Sequence, residues 1–390
     1  MTAPVNYLSN DKILDNRLSP ILKWAGGKEQ ELKYIHPAMP KQFTNYYEPF
    51  IGGGAVYFSI NANKLFINDK SHELIDLYNT IKQEDKSFFS IMNEIIYNWE
   101  LLEKIVNNNA QEFINCYLNF SDNKITELDI KNWIVEFIFK HSEEFNGMLE
   151  SNFNINLENF IKELNKNLVS KTKRMKKIEL EKGKLPNKDI LDNIEAAFKS
   201  AFYMHFRHLY NHIEKYNIEK SKEVAIFFFI RNFAYSGMFR YNKSGHFNVP
   251  YGGIGYNRKN LTKKLEYLQS NSLIKHLKKT NINNLDFEDF FKKTKPKKDD
   301  FIFLDPPYDS EFSTYAQNEF NKDDQSRLAN YLINKCEAKW MMIIKNTDFI
   351  FSLYDKANIN ISTFDKKYMV SFQNRNDRNA KHLLIRNYKE

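Results

Sequence analysis

The chain has 390 residues, enough to bury a core without disulfides or a structural metal, and its two cysteines, Cys116 and Cys336, lack the paired spacing of a zinc or redox site. Lys and Arg total 57 against 49 Asp and Glu, a formal charge of +8 that suits a polyanionic partner without requiring one. No stretch approaches the roughly 20 apolar residues of a membrane span, and MTAPVNYLSNDK lacks the basic start and apolar core of a signal peptide, so the expectation is a soluble, cytoplasmic, metal-free protein.

The first stretch reads as α/β. The short apolar runs YYEPFI and KLFIN are followed by helical patterns beginning near Ala55 and Ser71, and Gly52, Gly53 and Gly54 mark a tight strand-to-helix turn. From about Lys86 to Lys222 the apolar residues recur at three- and four-residue spacing, as in FFSIMNEIIYNWELLEKIV and NWIVEFIFKHSEEF, which predicts helices. Inside that region SKTKRMKKIELEKGKLPNKD carries a run of Lys and Arg, either a solvated helix face or a DNA-contacting arm, and Gly183 and Pro186 end its helix. RNFAYSGMFRYNKSGHFNVPYGGIGYN then has the turn residues of a β-hairpin with the polar and aromatic content of a binding loop. The α/β pattern returns with the strand candidates NINNLDF, DFIFLDPPY, AKWMMIIKN and KHLLIRNY and the helix KDDQSRLANYLINKCEA. The two α/β parts are expected to form one sheet, split by a long insertion.

The strongest chemical signal is Asp305-Pro306-Pro307-Tyr308, directly after the apolar run FIFL. Side chains there emerge at the carboxyl end of a strand, where open α/β sheets bind ligands. An aromatic amino group is a poor nucleophile because its lone pair is delocalised into the ring. The Asp305 carboxylate and the Pro306 carbonyl can each accept one amino hydrogen, gathering that pair on nitrogen, while Tyr308 stacks on the ring and proline stiffens the loop. EPFIGGGA, Glu48 to Ala55, is a strand ending in glycines that let the backbone approach a nucleoside. Its spacing differs from G-x-G-x-x-G and no phosphate-loop lysine follows, which argues against a nicotinamide or nucleoside triphosphate site. Asp69, at the next strand end, suits ribose hydroxyls or the cap of the helix that follows. In LKWAGGK, Trp24 can cover a ligand and Lys28 can meet a carboxylate or phosphate, or the segment is only a loop. Asp286 and Phe287 in LDFEDFF can bind and stack an adenine, or serve as a helix cap and a core residue.

LKWAGGK, EPFIGGGA, IND, RYNKSGHFNVPYG and DPPY, in this order, resemble the Dam-type DNA adenine-N6 methyltransferases of the alpha group. The likeness covers roughly Ile21 to Tyr78 and Phe228 to Tyr388. It leaves out most of the helical stretch, which is usually shorter in that family. The resemblance implies S-adenosylmethionine as cofactor, held by Trp24, Lys28, Asp69 and Asp305 with Glu48 and Phe50 lining the same pocket. It implies double-stranded DNA as substrate. Tyr235 matches the intercalating aromatic, Arg240 the guanine-reading arginine, Met238 and Pro250 the contacts to thymine methyls, and Lys23 the lysine on the first guanine, with Asn242 in the same DNA-contacting loop. Together they imply a GATC-like target. Two positions depart from the family: Ser236 stands where an Asn is frequent beside the aromatic, and a basic residue common after the hairpin is replaced around Gly253.

The expected fold is therefore α/β, a Rossmann-like S-adenosylmethionine-dependent methyltransferase sheet interrupted by a mainly helical target-recognition domain with a β-hairpin. Residues 1–85 and 265–390 would form the catalytic domain and residues 86–264 the target-recognition domain, with a helical insertion over about 86–222 and a reading hairpin over about 231–257. The expected enzyme is a monomer acting on a flipped adenine, accompanied or not by a cognate restriction endonuclease. The competing readings are methylation of an amino group in RNA or protein, and a catalytically silent DNA-binding homologue.

Overall fold

Seven strands form one sheet: β1 (Asn45–Glu48), β2 (Lys64–Asn68), β3 (Thr280–Asn283), β4 (Phe301–Leu304), β5 (Lys339–Lys345), β6 (Asn360–Lys367) and β7 (Asn379–Arg386), in the order β3-β2-β1-β4-β5-β7-β6. The first five in that order run parallel; β7 is antiparallel to β5, and β6 to β7. All four residues of β4 and the five from Trp340 to Ile344 in β5 are buried. Parallel strands covered on both faces read as unbroken apolar runs for this reason. Ile302, Leu304, Trp340, Met342, Ile344, Leu383 and Ile385 face one core, against Phe287, Phe290 and Phe291 of one helix and Leu328 and Leu332 of another.

This computed structural model describes residues 18–24, 26–147, 155–308, 320–367 and 379–389. The sheet belongs to a unit made of the chain up to Gln83 and from Gln269 onward, so the two α/β parts do share one sheet; Glu84–Leu268 forms a second unit. No helix among the described residues is long and apolar enough to cross a membrane.

The second unit is built on the helices Lys86–Asn108, Ala110–Ser121, Glu127–Lys140, Leu157–Lys182, Asn187–Tyr210 and Lys220–Phe233. Asn187–Tyr210 is buried almost all round, with Ala196, Ala197 and Ala201 admitting close neighbours and Phe198, Phe202 and Phe206 filling the core, the pattern of a central helix. Trp99, Phe229 and Phe233 from two other helices complete an aromatic cluster, with Phe206 and Phe229 ring centres 5.0 Å apart and Trp99 and Phe233 4.3 Å apart. The helix Leu157–Lys182 stops at Gly183, φ +89°, as the sequence indicates, and Pro186 stands at the N-cap position of the next helix.

Two local expectations are corrected, and one strand was not anticipated. The helix expected from Ala55 is a single 3-10 turn, Tyr57–Ser59, because β2 begins at Lys64 and leaves no room for a helix and a return loop. The strand β6, NISTFDKK, has no apolar run to announce it; it is an edge strand held by pairing with β7. The hairpin is a two-armed loop with isolated bridges at Ala234–Tyr251 and Tyr241–Phe247 instead of a continuous ladder, and its first residues, 231–233, end the helix Lys220–Phe233. Pro250 has no N–H to donate, and Gly237, φ +65°, and Gly245, φ +74°, bend the arms out of extended pairing.

Gly54 tests the glycine turn. At φ +77° a side chain is strained, and its Cβ would lie 2.6 Å from the Tyr78 hydroxyl and 2.9 Å from the Phe58 ring. Gly54→Ala should therefore lower stability by about 2–4 kcal/mol. Gly237→Ala, at φ +65° with nothing within 4 Å, should cost only about 1 kcal/mol. Urea unfolding compares the two variants, and equal losses would contradict the steric argument.

Two buried histidines set an acid limit. Burial pulls the pKa of His205 from 6.5 down to about 3, helped by the charges of His208 and Lys222, and that of His276 down to about 4, helped by Lys279. The unfolded chain takes up a proton at each below about pH 6.5 while the folded protein does not, so stability falls as pH drops from there toward each folded value. Each histidine contributes a slope of up to about 1.4 kcal/mol per pH unit. Unfolding midpoints between pH 7.5 and 5 should fall in the wild type and fall less in His205→Gln and His276→Gln; parallel profiles would contradict the assignment.

Candidate active site

The strand order reverses beside β1: the chain steps outward through β2 and β3, then starts again on the other side of β1 with β4 and β5. The carboxyl ends of β1 and β4 consequently carry loops that diverge, leaving the crevice where open α/β sheets bind ligands. β1 ends on Glu48 and β4 is followed by Asp305.

Lys28 joins the loops. It is 3 % exposed, and its ammonium forms an ion pair with Asp305 Oδ2, donates to the Gly26 carbonyl at 2.8 Å, and lies 3.5 Å from the Tyr308 hydroxyl. Such a buried cation is tolerated only with partners this close. Glu48, equally buried, accepts a hydrogen bond from the Tyr46 hydroxyl at 2.5 Å. Burial pushes its carboxyl well above the usual range and the Asp305 charge adds to that, while the Tyr46 bond and the Lys28 charge oppose it. Lys28, Glu48, Asp305 and Tyr308 thus form one electrostatically linked group.

The Asp305–Tyr308 loop is fixed from behind. Gln325, fully buried on the helix Lys322–Asn334, donates to the Pro307 carbonyl at 2.7 Å. No donor among the described residues bonds the Pro306 carbonyl. His382 of β7, also fully buried, meets the Tyr308 hydroxyl through Nε2 at 3.2 Å and its ring edge-on at 5.6 Å.

The glycine turn lies against Trp24. A Cβ on Gly52 would come within 2.9 Å of the indole, and one on Gly53 within 2.9 Å of the Leu22 carbonyl, so both positions need bare backbone. Asp69 accepts from the Gly52 amide through one carboxylate oxygen and from the Ser71 amide through the other, each at 3.0 Å. Burial raises its pKa and these backbone bonds lower it. Ser71, not Asp69, caps the helix His72–Lys82 with its side chain. Lys23, one residue before Trp24, is exposed.

Asn68 had no role in the sequence reading. Buried at the end of β2, it donates to the Pro49 and Leu285 carbonyls, each at 3.0 Å, and accepts from the Leu285 amide at 2.9 Å. One amide side chain therefore ties the loops after β1 and β3 together. An Asn before an Asp at a strand end is the only signal for it.

Asp286 caps the helix Phe287–Thr294 by accepting from the Glu288 amide at 3.0 Å, and it pairs with Arg327 at 3.2 Å. Phe287 is buried in the core beneath the Arg327 guanidinium, with the Phe50 ring 6.0 Å away. Phe50 and Phe287 thus share a wall, whereas the Asp286 carboxylate is committed to cap and ion pair.

The remaining candidates lie in the second unit. Tyr235 is half exposed, Met238 partly buried, and Arg240, Asn242 and Pro250 are exposed on one loop. Arg240 Nε donates to Asn248 Oδ1 at 2.9 Å. Asn242 Oδ1 closes the turn by accepting from the Ser244 and His246 amides at 3.0 and 2.9 Å. Ser236 adopts φ +53°, a left-handed conformation that Asn tolerates better, which accounts physically for the Asn favoured there in the family it resembles.

The sequence model of the D12 class N6 adenine-specific DNA methyltransferase family matches residues 24–198 and 187–370. The Type II methyltransferase M.CviBI of Paramecium bursaria Chlorella virus NC1A is 25% identical over 378 residues, covering 95% of this chain and 100% of that one. The Type II methyltransferase M.MjaIII of Methanocaldococcus jannaschii is 26% identical over 355 residues, 88% and 90% of the two chains. A DNA adenine methylase of Haemophilus influenzae is 22% identical over 349 residues, 87% and 83% of the two. The match extends through both units, glycine turn and Asp305 loop included, and the chain belongs to the D12 class N6 adenine-specific DNA methyltransferase family.

Proposed function

We propose that this enzyme methylates N6 of an adenine flipped out of duplex DNA, using S-adenosylmethionine, at GATC or a GATC-like site. The observation that carries the reading is the Lys28–Asp305–Tyr308 group at the switch point of the sheet. The residues around it suit the cofactor: glycines at 52 and 53 bare of Cβ beside the Trp24 indole, the carboxylates of Glu48 and Asp69, and the Lys28 ammonium. When bound, S-adenosylmethionine supplies an electrophilic methyl group on a sulfonium.

The chain's part is to prepare the nucleophile. Asp305 and the Pro306 carbonyl accept the two amino hydrogens, concentrating the lone pair on nitrogen. Lys28 orients the Asp305 carboxylate, and Gln325, by occupying the neighbouring Pro307 carbonyl, holds the loop. Tyr308 stacks on the extruded base, its ring set by His382. A duplex hides N6, so the base must leave the stack at a cost of a few kcal/mol. Tyr235 is the aromatic exposed to fill the gap.

Glu84–Leu268 acts in this reading as the target-recognition unit. Arg240, its Nε occupied by Asn248, offers its two terminal nitrogens to guanine O6 and N7. Met238 and Pro250 supply apolar contacts, and Lys23 and Asn242 further contacts to DNA. The reading extends to a monomeric cytoplasmic enzyme; the designation of relatives as Type II methyltransferases is compatible with pairing to a cognate restriction endonuclease.

Asp305→Ala should reduce methyl incorporation into duplex DNA by on the order of a thousandfold while largely sparing duplex affinity; wild-type turnover in a radiolabelled methyl assay would overturn the assignment. Arg240→Ala should cost about 1 to 3 kcal/mol of discrimination at one base pair. A uniform loss across all sequences, measured on a panel of single-substitution duplexes, would mean that it binds phosphate only.

A further inference from the structure

Accepting the reading of the Tyr235–Pro250 loop as the part that reads DNA, we propose that a row of residues on the helix Asn187–Tyr210 and its cap sets target discrimination without touching DNA, by fixing the backbone of that loop. The row is Glu195, Lys199, Tyr203, Arg207 and Asn211, spaced four residues apart, so it forms one inclined ridge on the helix. The returning arm of the loop runs antiparallel along it. Asn211 donates to the Phe247 carbonyl at 3.0 Å and accepts from the Phe247 amide at 2.8 Å. Arg207 and Tyr203 both donate to the Val249 carbonyl at 3.0 Å. Lys199 donates to the Asn257 carbonyl at 2.7 Å, and Glu195 lies 3.6 Å from the Arg258 guanidinium. As residue numbers rise along the arm from Phe247 to Arg258, they fall along the helix from Asn211 to Glu195.

Every hydrogen bond that Asn211, Arg207, Tyr203 and Lys199 make to the arm goes to a peptide group, so this part of the fixing acts on the backbone; the Tyr203 ring also lies 5.8 Å from that of Tyr251. Between those anchors the arm alternates: Phe247, Val249 and Tyr251 are buried while Asn248 and Pro250 face outward. Asn248 in turn holds Arg240 through Nε and donates its amide to the Arg240 carbonyl at 3.0 Å. A shift of the arm therefore moves Arg240 directly. Discrimination depends on that placement, because a bidentate arginine contact fails with small displacements. The base of the row is buried and charged, with Lys199 fully enclosed between Glu195 at 2.7 Å and Glu103 at 3.3 Å, so the surface end, Arg207 and Asn211, is where it can be altered without leaving a buried charge unpaired.

The test is a discrimination profile of the full-length protein. Asn211→Ala and Arg207→Met should lower the ratio of kcat/KM on the cognate duplex to that on single-substitution duplexes by about tenfold, mainly through KM, with S-adenosylmethionine affinity unchanged. Amide hydrogen exchange over residues 239–251 should quicken while the other helices of the unit keep their protection. Asn211→Asp, which turns a carboxylate oxygen toward the Phe247 carbonyl where Asn211 donates, should lose discrimination at least as far as Asn211→Ala. Unchanged discrimination in properly folded Asn211→Ala, alongside loss in Arg240→Ala, would overturn the proposal and leave the reading loop intact. Unchanged discrimination in Arg240→Ala as well would overturn the reading of the loop itself. General loss of protection in Asn211→Ala would likewise overturn the proposal, since the row would then be part of the core.

Discussion

The Lys28 ammonium is buried at the carboxyl ends of two neighbouring strands whose loops diverge, and a cation in that place must be surrounded by oxygen. It finds Gly26, Asp305 and the Tyr308 hydroxyl, which come from opposite ends of the sequence. The pairing obliges LKWAGGK to fold over the loop after β4. Trp24 is thereby brought against Gly52 and Gly53, and Asp69 clips the same turn from the far side. The electrostatic balance of Glu48 includes both Lys28 and Asp305, so removing either charge alters more than one contact.

Around that group the supports are mostly uncharged and easily overlooked. Asn68 ties two loops with three hydrogen bonds, Gln325 holds a carbonyl of the Asp305 loop, and His382 fixes the Tyr308 ring. None needs to touch a ligand to matter, because a reacting nitrogen displaced by even a fraction of an ångström loses alignment. The second unit is organised on the same principle, with peptide groups of its loop held by a helix while Arg240, Asn242 and Pro250 of the loop are exposed.

What could be read in the sequence follows the range of the interactions involved. FIFL followed by Asp305 announces a buried strand and a loop at its end because both depend on neighbours in the chain, and KWMMIIK does so likewise. β6 is silent because an edge strand needs only a partner, and NISTFDKK gains its strand character from β7. The helix expected at Ala55 fails for want of space before Lys64. Asp286 and Phe287 illustrate a different limit: the same two letters suit an adenine site or a cap on a core helix, and only Arg327, far along the chain, commits the carboxylate. His382 and the ridge from Glu195 to Asn211 were not legible at all, since their partners lie tens of residues away or more. The glycine turn after β1 and the Asp305 loop were legible as backbone features because glycine at close approach and proline in a stiff turn leave residue-level marks.

The modified atom and its sequence context together define what the enzyme does. Single-molecule methylation-aware sequencing of DNA from a methylation-free host expressing this protein measures both at once. N6-methyladenine is expected at every copy of one short motif, GATC or a close variant, and none in a host expressing Asp305→Ala. Modification at cytosine, at adenines without a shared motif, or undiminished in that variant would contradict the proposed function.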